Sequence, residues 1–308
     1  MLRPRALRPG DRIALVAPAS PFDRADFDRG VAELAALGFE PAYDDRVFAR
    51  RGYLAGDPED RARAFEDAWC DDRIAALIAV RGGYGSVQML PRLSPERLRA
   101  RPKLFIGYSD ATALLLFLTQ QCGIVAVHGP MVEGRLARGA GGYDRASFMA
   151  CVTSGKPVGE LSPPGLQALR SGEAIGTITG GNLSQLVASL GTPYAFDPPA
   201  GSVLFLEDVR ERPYRIDRMV TQLRLAGVLD RAAAVVWGEM AGCDEESGKP
   251  TARDVIADLF GDFPGPVLFG FPSGHTTGPS LTLPFGVRTR VIAGDRVALS
   301  IEEAAVTT

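Results

Sequence analysis

The first half of the chain switches repeatedly between two hydrophobic periods, and that alternation limits the folds open to it more than any other feature. Residues 13–17 form a short apolar run closed by Pro18, the pattern of a buried strand. Apolar residues at 27, 31, 34, 35 and 37 follow at helical spacing and end at Gly38. The order then repeats, with strands predicted over 40–43, 74–80, 104–106 and 124–127 and helices over 58–70 and 111–121. Strands alternating with helices demand right-handed crossovers and a mostly parallel sheet covered on both faces. Ligands in such sheets bind beyond the carboxyl ends of the strands. Two of those ends carry turns that contain glycine, at 81–85 and 107–110.

The pattern changes after residue 155. Pro, Gly and Ser crowd residues 156–173, which reads as a linker. Beyond it, strands are expected over 174–179, 203–206, 232–237 and 267–269, with helices over 183–190, 214–225 and 252–260. Runs at 281–283, 287–292 and 297–301 suggest a terminal β-meander. The expected organisation is α/β throughout: a parallel-sheet domain over 1–155, the linker, and a β-rich mixed domain over 174–308 carrying fewer residues.

Composition narrows the function. With 308 residues, 46% of them apolar and 23% charged, the chain is an ordinary globular sequence long enough for two cores. Lys and Arg number 34 against 37 Asp and Glu, so no basic footprint for nucleic acid or an anionic membrane exists. No apolar run approaches the roughly 20 residues of a membrane span, and the basic start lacks the apolar stretch of a signal peptide. The four cysteines, Cys70, Cys122, Cys151 and Cys243, lie far apart with no CxxC pair. That spacing suits neither a disulfide scaffold nor a thiolate zinc site, and points to a reduced, cytoplasmic protein.

Chemistry is concentrated at a few positions. At Gly107-Tyr108-Ser109-Asp110-Ala111 a strand ends, a serine stands on a tight turn between small residues, and a helix begins. This is the pattern of a nucleophile elbow, with the Asp110 N–H able to face an oxyanion. The alternative is that Ser109 caps the helix and Asp110 complements its dipole. Arg81-Gly82-Gly83-Tyr84-Gly85 could cradle a phosphate, supply a second oxyanion N–H, or simply turn. A serine nucleophile needs a base. The chain has two histidines: His128, at a strand end, and His275, in a Gly/Pro-rich loop. Glu207 and Asp208 directly follow a buried apolar strand and offer an orienting acid, although carboxylates at such positions usually face solvent.

Taken together, Arg81-Gly-Gly-Tyr-Gly, Gly107-Tyr-Ser-Asp, His128-Gly-Pro, Gly180-Gly-Asn182-Leu, Leu206-Glu-Asp208, Tyr214-Arg-Ile-Asp217-Arg218 and Gly274-His275 resemble the LD-carboxypeptidase family. This group of serine peptidases includes murein tetrapeptide carboxypeptidase and the microcin C self-immunity peptidase. The similarity runs from Pro9-Gly-Asp11 to Pro284-Phe-Gly286.

The resemblance implies a flavodoxin-like first domain, a smaller β-rich second domain, a cleft between them and a homodimer. It implies Ser109 as nucleophile, Glu207 as acid and His275 as base, leaving His128 a structural role. The oxyanion would rest on the N–H groups of Gly83 and Asp110, and no metal or cofactor is required. Arg81, Tyr108, Asn182 and Arg210 are candidate contacts to a small peptide substrate. The substrate implied is a murein tetrapeptide that loses its terminal D-Ala. The immunity-type alternative cleaves aminoacyl or peptidyl nucleotides and is expected to use a tryptophan between the nucleophile and the acid; here the tryptophans are Trp69 and Trp237. A non-catalytic ligand-binding protein on the same fold is the further alternative.

Overall fold

The computed structural model describes residues 1–308. The first half runs β1 (Arg12–Val16), α1 (Arg24–Ala36), β2 (Glu40–Ala42), α2 (Pro58–Cys70), β3 (Ile74–Ala79), α3 (Pro95–Ala100), β4 (Leu104–Gly107), α4 (Thr112–Leu116), β5 (Ala126–His128) and α5 (Arg145–Thr153). The second half runs β6 (Gly159–Leu161), β7 (Gln167–Arg170), β8 (Gly172–Asn182), α6 (Leu183–Ser189), β9 (Ser202–Glu207), α7 (Pro213–Leu225), β10 (Ala232–Gly238), α8 (Ala252–Leu259) and β11 (Val267–Phe271). It closes with β12 (Leu283–Phe285), β13 (Arg288–Ala293) and β14 (Val297–Ile301).

Local signals set many of the helix ends. Asp23 and Asp57 cap α1 and α2 by accepting from Asp26 N and Glu59 N, and Pro58 occupies the first turn of α2, where a missing N–H costs nothing. Thr251 and Asp254 form a reciprocal capping box at α8. In α7 the buried residues Ile216, Met219, Val220 and Leu223 fall on one face, so packing selects the helix.

Two compact units result. The first comprises Met1–Lys156, Gly278–Gly286 and Ala304–Thr308; the second comprises Pro157–Thr277 and Val287–Glu303. The sheet of the first unit has the order β12-β5-β4-β3-β1-β2. Strands β2-β1-β3-β4-β5 are parallel, which is the flavodoxin-like order, and β12 adds an antiparallel edge. All six residues of β3 are buried, as a strand covered on both faces must be.

The second unit holds an eight-stranded sheet ordered β6-β14-β13-β8-β9-β10-β11-β7. Its centre, β8-β9-β10-β11, is parallel, and the flanking strands are antiparallel. Two expectations change here. The 156–173 stretch is not a bare linker, because β6 and β7 lie within it and edge this sheet. Nor do the last three strands form one meander: β12 pairs with β5 in the first unit, while β13 and β14 make a hairpin in the second. Helices α3 and α5 appear where none was expected. The helix expected over 111–121 is present in pieces, with a π-turn over Phe117–Gln121 following α4. There the Thr119 hydroxyl donates to the carbonyls of Leu115 (2.9 Å) and Leu116 (3.3 Å), competing with the backbone ladder.

Candidate active site

The turn after β4 has the strain that a nucleophile elbow requires. Ser109 has φ +62°, a left-handed conformation that costs a non-glycine residue about 1–3 kcal/mol. Close packing surrounds it. A Cβ on Gly107 would stand 2.8 Å from Ala111 Cβ and 3.3 Å from Ala79 Cβ. The bare Cα at Gly107 therefore makes room for alanine at 111.

Asp110 does not complement a helix dipole at the surface. It is 1% exposed, and its carboxylate accepts from Ser86 N (2.8 Å) and Gly85 N (3.3 Å). Burial pushes its pKa up, opposed by those hydrogen bonds and by the Arg61 charge. Asp110 thus ties the glycine loop after β3 to the serine turn after β4. The loop has a second anchor at Ser20, whose N–H donates to Gly82 O and whose Oγ accepts from Tyr84 N, each at 3.2 Å.

The glycines of this loop play different parts. A Cβ on Gly82 would lie 3.0 Å from Ser109 Oγ and 3.5 Å from Asp110 N, so its absence keeps the hydroxyl accessible. Gly83 has φ +103°, and a Cβ there would meet Ser20 Oγ at 2.3 Å. That position requires glycine and exposes its backbone.

In the second unit, the end of β9 delivers Glu207, which is completely buried. Its Oε2 accepts from the backbone N of His275 at 3.0 Å and lies 2.7 Å from His275 Nδ1. With Glu207 ionised, Nδ1–H is the donor, which leaves Nε2 as the basic nitrogen. Thr277, two residues on, donates N–H and Oγ1–H to Glu239 Oε2 at 2.8 and 2.9 Å. The histidine loop is therefore held at two points by carboxylates from β9 and from the end of β10. The side chain of His275 is 21% exposed.

His128 has a different setting. It is fully buried on β5, stacked on Phe285 (5.3 Å between ring centroids) and edge-on to Tyr108 (6.1 Å). Tyr108 is itself buried and packs rather than faces solvent. Of the remaining candidates, Asn182 caps α6 and reaches Glu207. Arg81 is committed to an ion pair with Glu133 (3.2 Å) and to the carbonyl of Pro21 (2.9 Å). Arg210 is exposed, with φ +56°. Burial drives the thiols of Cys122, Cys151 and Cys243 up to about 12, so they are inert packing groups.

Several contributors escaped the sequence reading. Glu239, Gly238 and Ser20 carry no motif of their own. Asp208 was visible only as a second carboxylate after Glu207; the structure buries it to 4% exposure instead of turning it to solvent.

Residues 13–129 match the family described as LD-carboxypeptidase N-terminal domain, and residues 175–291 match its C-terminal counterpart. The murein tetrapeptide carboxypeptidase of Pseudomonas aeruginosa is 30% identical over 298 residues, covering 93% of this chain and 94% of that protein. A crystal structure of muramoyltetrapeptide carboxypeptidase from Oxalobacter formigenes is 30% identical with a TM-score of 0.84, covering 96% of this chain and all of that one. The microcin C7 self-immunity protein MccF of Escherichia coli is 28% identical over 314 residues, covering 93% of this chain and 91% of that protein. A structure of wild-type MccF aligns with a TM-score of 0.90 over the full length of both chains at 26% identity.

Proposed function

The chain belongs to the LD-carboxypeptidase family, and from that premise we propose that it is a serine carboxypeptidase that removes the terminal D-Ala of murein tetrapeptides. The observation that carries the reading is the Glu207–His275 pair: a buried carboxylate 2.7 Å from Nδ1 of a partly exposed imidazole. Such a pair fixes the imidazole tautomer and can present Nε2 as a base.

In the proposed reaction Ser109 Oγ attacks the carbonyl of the L,D peptide bond while His275 Nε2 takes its proton. Glu207 stabilises the resulting imidazolium. The oxyanion rests on the N–H groups of Gly83 and Asp110, each worth about 2.7–4 kcal/mol. His275 then returns the proton to the departing D-Ala amine, and water repeats the sequence on the acyl enzyme. Arg81, Tyr108, Asn182 and Arg210 were the candidate substrate contacts, and of these the exposed Arg210 remains best suited to a substrate carboxylate. By the same family resemblance the enzyme acts as a homodimer, and its widely spaced cysteines favour the cytoplasm.

One observation favours a murein peptide over a nucleotide conjugate. Both tryptophans are fully buried in hydrophobic cores, Trp69 donating to Leu98 O and Trp237 packing edge-on to Phe260. Neither can stack on a nucleobase. The experiment is incubation with a murein tetrapeptide and, separately, with an aminoacyl nucleotide, followed by mass spectrometry. D-Ala release by the wild type but not by Ser109→Ala is the expected outcome. Normal turnover by Ser109→Ala would remove the serine mechanism, and cleavage of the nucleotide alone would transfer the assignment to immunity-type chemistry.

A further inference from the structure

Strand β9 ends at Glu207, and Asp208 follows it directly; the two carboxylates are 0% and 4% exposed. Burying one charge beside another is unfavourable unless each is specifically hydrogen-bonded, so a fold that keeps both needs a reason for the second. The mechanism above uses only Glu207. We propose that Asp208 is a positioning residue for the Glu207–His275 pair, acting through the side-chain amide of Asn182; the proposal rests on the triad reading.

The geometry makes Asp208 the fixed point of the group. Its Oδ2 accepts from Ser184 N at 2.9 Å, and its Oδ1 accepts from its neighbour Val209 N at 2.9 Å. Oδ1 also accepts from Asn182 Nδ2 at 3.1 Å. The same Nδ2 reaches Glu207 Oε1 at 3.4 Å. The amide cannot turn over, because its oxygen is already taken by Ser184 Oγ (2.7 Å) and Gln185 N (3.3 Å). Asn182 and Glu207 are also register partners on β8 and β9, which brings the two side chains together on neighbouring strands. Asp208 therefore pins Asn182 and Asn182 steadies Oε1, which leaves Oε2 aimed at both donors of His275. The ionisable groups that face Asp208 are Glu207 and the Cys243 thiol.

Asparagine at 208 cannot reproduce this arrangement. Its one oxygen can serve Ser184 N or Asn182 Nδ2 but not both, and its NH2 would oppose the other donor. The test combines kinetics with NMR titration of the imidazoles, which is tractable because the chain has two histidines. In Asp208→Asn, kcat on the tetrapeptide should fall by about 10- to 100-fold with KM nearly unchanged, since about 1 Å of misplacement costs that much. The His275 titration should move to lower pH, because less negative charge then supports the imidazolium. Asn182→Ala should give the same pair of effects, and the double variant should be no worse than either single one. Wild-type kcat with an unmoved His275 titration in folded Asp208→Asn would overturn the proposal, as would additive losses in the double variant. Asn182→Ala removes no charge, so its His275 titration, which needs no substrate, still tests the positioning role if the wild type releases no D-Ala and the functional reading itself fails.

Discussion

Gly238, at the end of β10, lies flat against Glu207, at the end of β9: a Cβ on Gly238 would stand 2.7 Å from Glu207 Cβ. The two strands are parallel neighbours in register at Trp237 and Leu206, so neither end can slide away. Gly238→Ala should therefore push Glu207 off His275 and not merely crowd a loop. The expected cost is about 1–3 kcal/mol of stability from overpacking, with a loss of about 100-fold in kcat. Activity assays beside urea denaturation check this, and an active Gly238→Ala enzyme would show that Glu207 has slack.

Gly82 makes a parallel case in the first unit. It is not among the positive-φ glycines, so alanine is conformationally acceptable there. Its Cβ would nonetheless sit 2.9 Å from Ser109 Cβ and 3.0 Å from Ser109 Oγ. Gly82→Ala should cost about 1–3 kcal/mol of stability from overpacking and lose about 100-fold in kcat/KM. Labelling by a serine-directed phosphonate should slow in proportion. Undiminished labelling would mean that the hydroxyl is approached from another side.

The strain at Ser109 gives a comparison of two inactive variants. Both Ser109→Ala and Ser109→Gly remove the proposed nucleophile, but only glycine adopts φ +62° without steric cost. Ser109→Gly should therefore be more stable than Ser109→Ala by about 1 kcal/mol. Equal midpoints in denaturant would show that the turn is not strained.

What could be read in advance divides by the range of the interactions. The first sheet was legible because its strands are short apolar runs interleaved with helical spacing, and residues 13–17 and 74–80 closely match β1 and β3. The serine turn was legible because Gly107, Ser109 and Ala111 lie within five residues of each other. The fate of β12 was not, since its partner His128 is 155 residues from Leu283 and no local signal records that pairing. Spacing alone also left the two histidines open. Burial separates them: His128 is enclosed by Phe285 and Tyr108, whereas His275 sits on Glu207 with an exposed edge. The edge strands β6 and β7 were hidden because Pro and Gly in 156–173 read as loop, and edge strands tolerate such residues.

Loop anchoring should also show in turnover. Thr277→Val deletes the hydroxyl that reaches Glu239 Oε2 while leaving the backbone N–H in place. One hydrogen bond is worth about 1 kcal/mol, so the His275 loop should loosen without unfolding. A fall of about fivefold in kcat is expected, as 1 kcal/mol implies, and Glu239→Gln should lose less because it keeps an acceptor oxygen. Unchanged turnover in Thr277→Val beside a clear loss in Glu239→Gln would assign the effect to the charge on Glu239 and not to the hydrogen bond.

The buried carboxylate pair should leave a signature in stability against pH. Burial, then the neighbouring charge of Glu207, raises the Asp208 pKa from 3.8 to about 6. Below 3.8 the side chain is protonated in both the folded and the unfolded chain, and it contributes no pH dependence. Between 3.8 and about 6 the folded protein keeps a proton that the unfolded chain has lost, so this group's contribution to stability falls as pH rises. Above about 6 both states are ionised, and the full cost of the second buried charge is in place. Asp208→Asn lacks the titration. The stability of the wild type minus that of Asp208→Asn should therefore be greatest in acid, decline through this window and level off near neutrality. Urea denaturation of both proteins at pH 4, 5, 6 and 7 measures the difference directly. A constant difference across that range would mean that Asp208 holds its charge without penalty, and that Asn182, Ser184 and Val209 fully offset its burial.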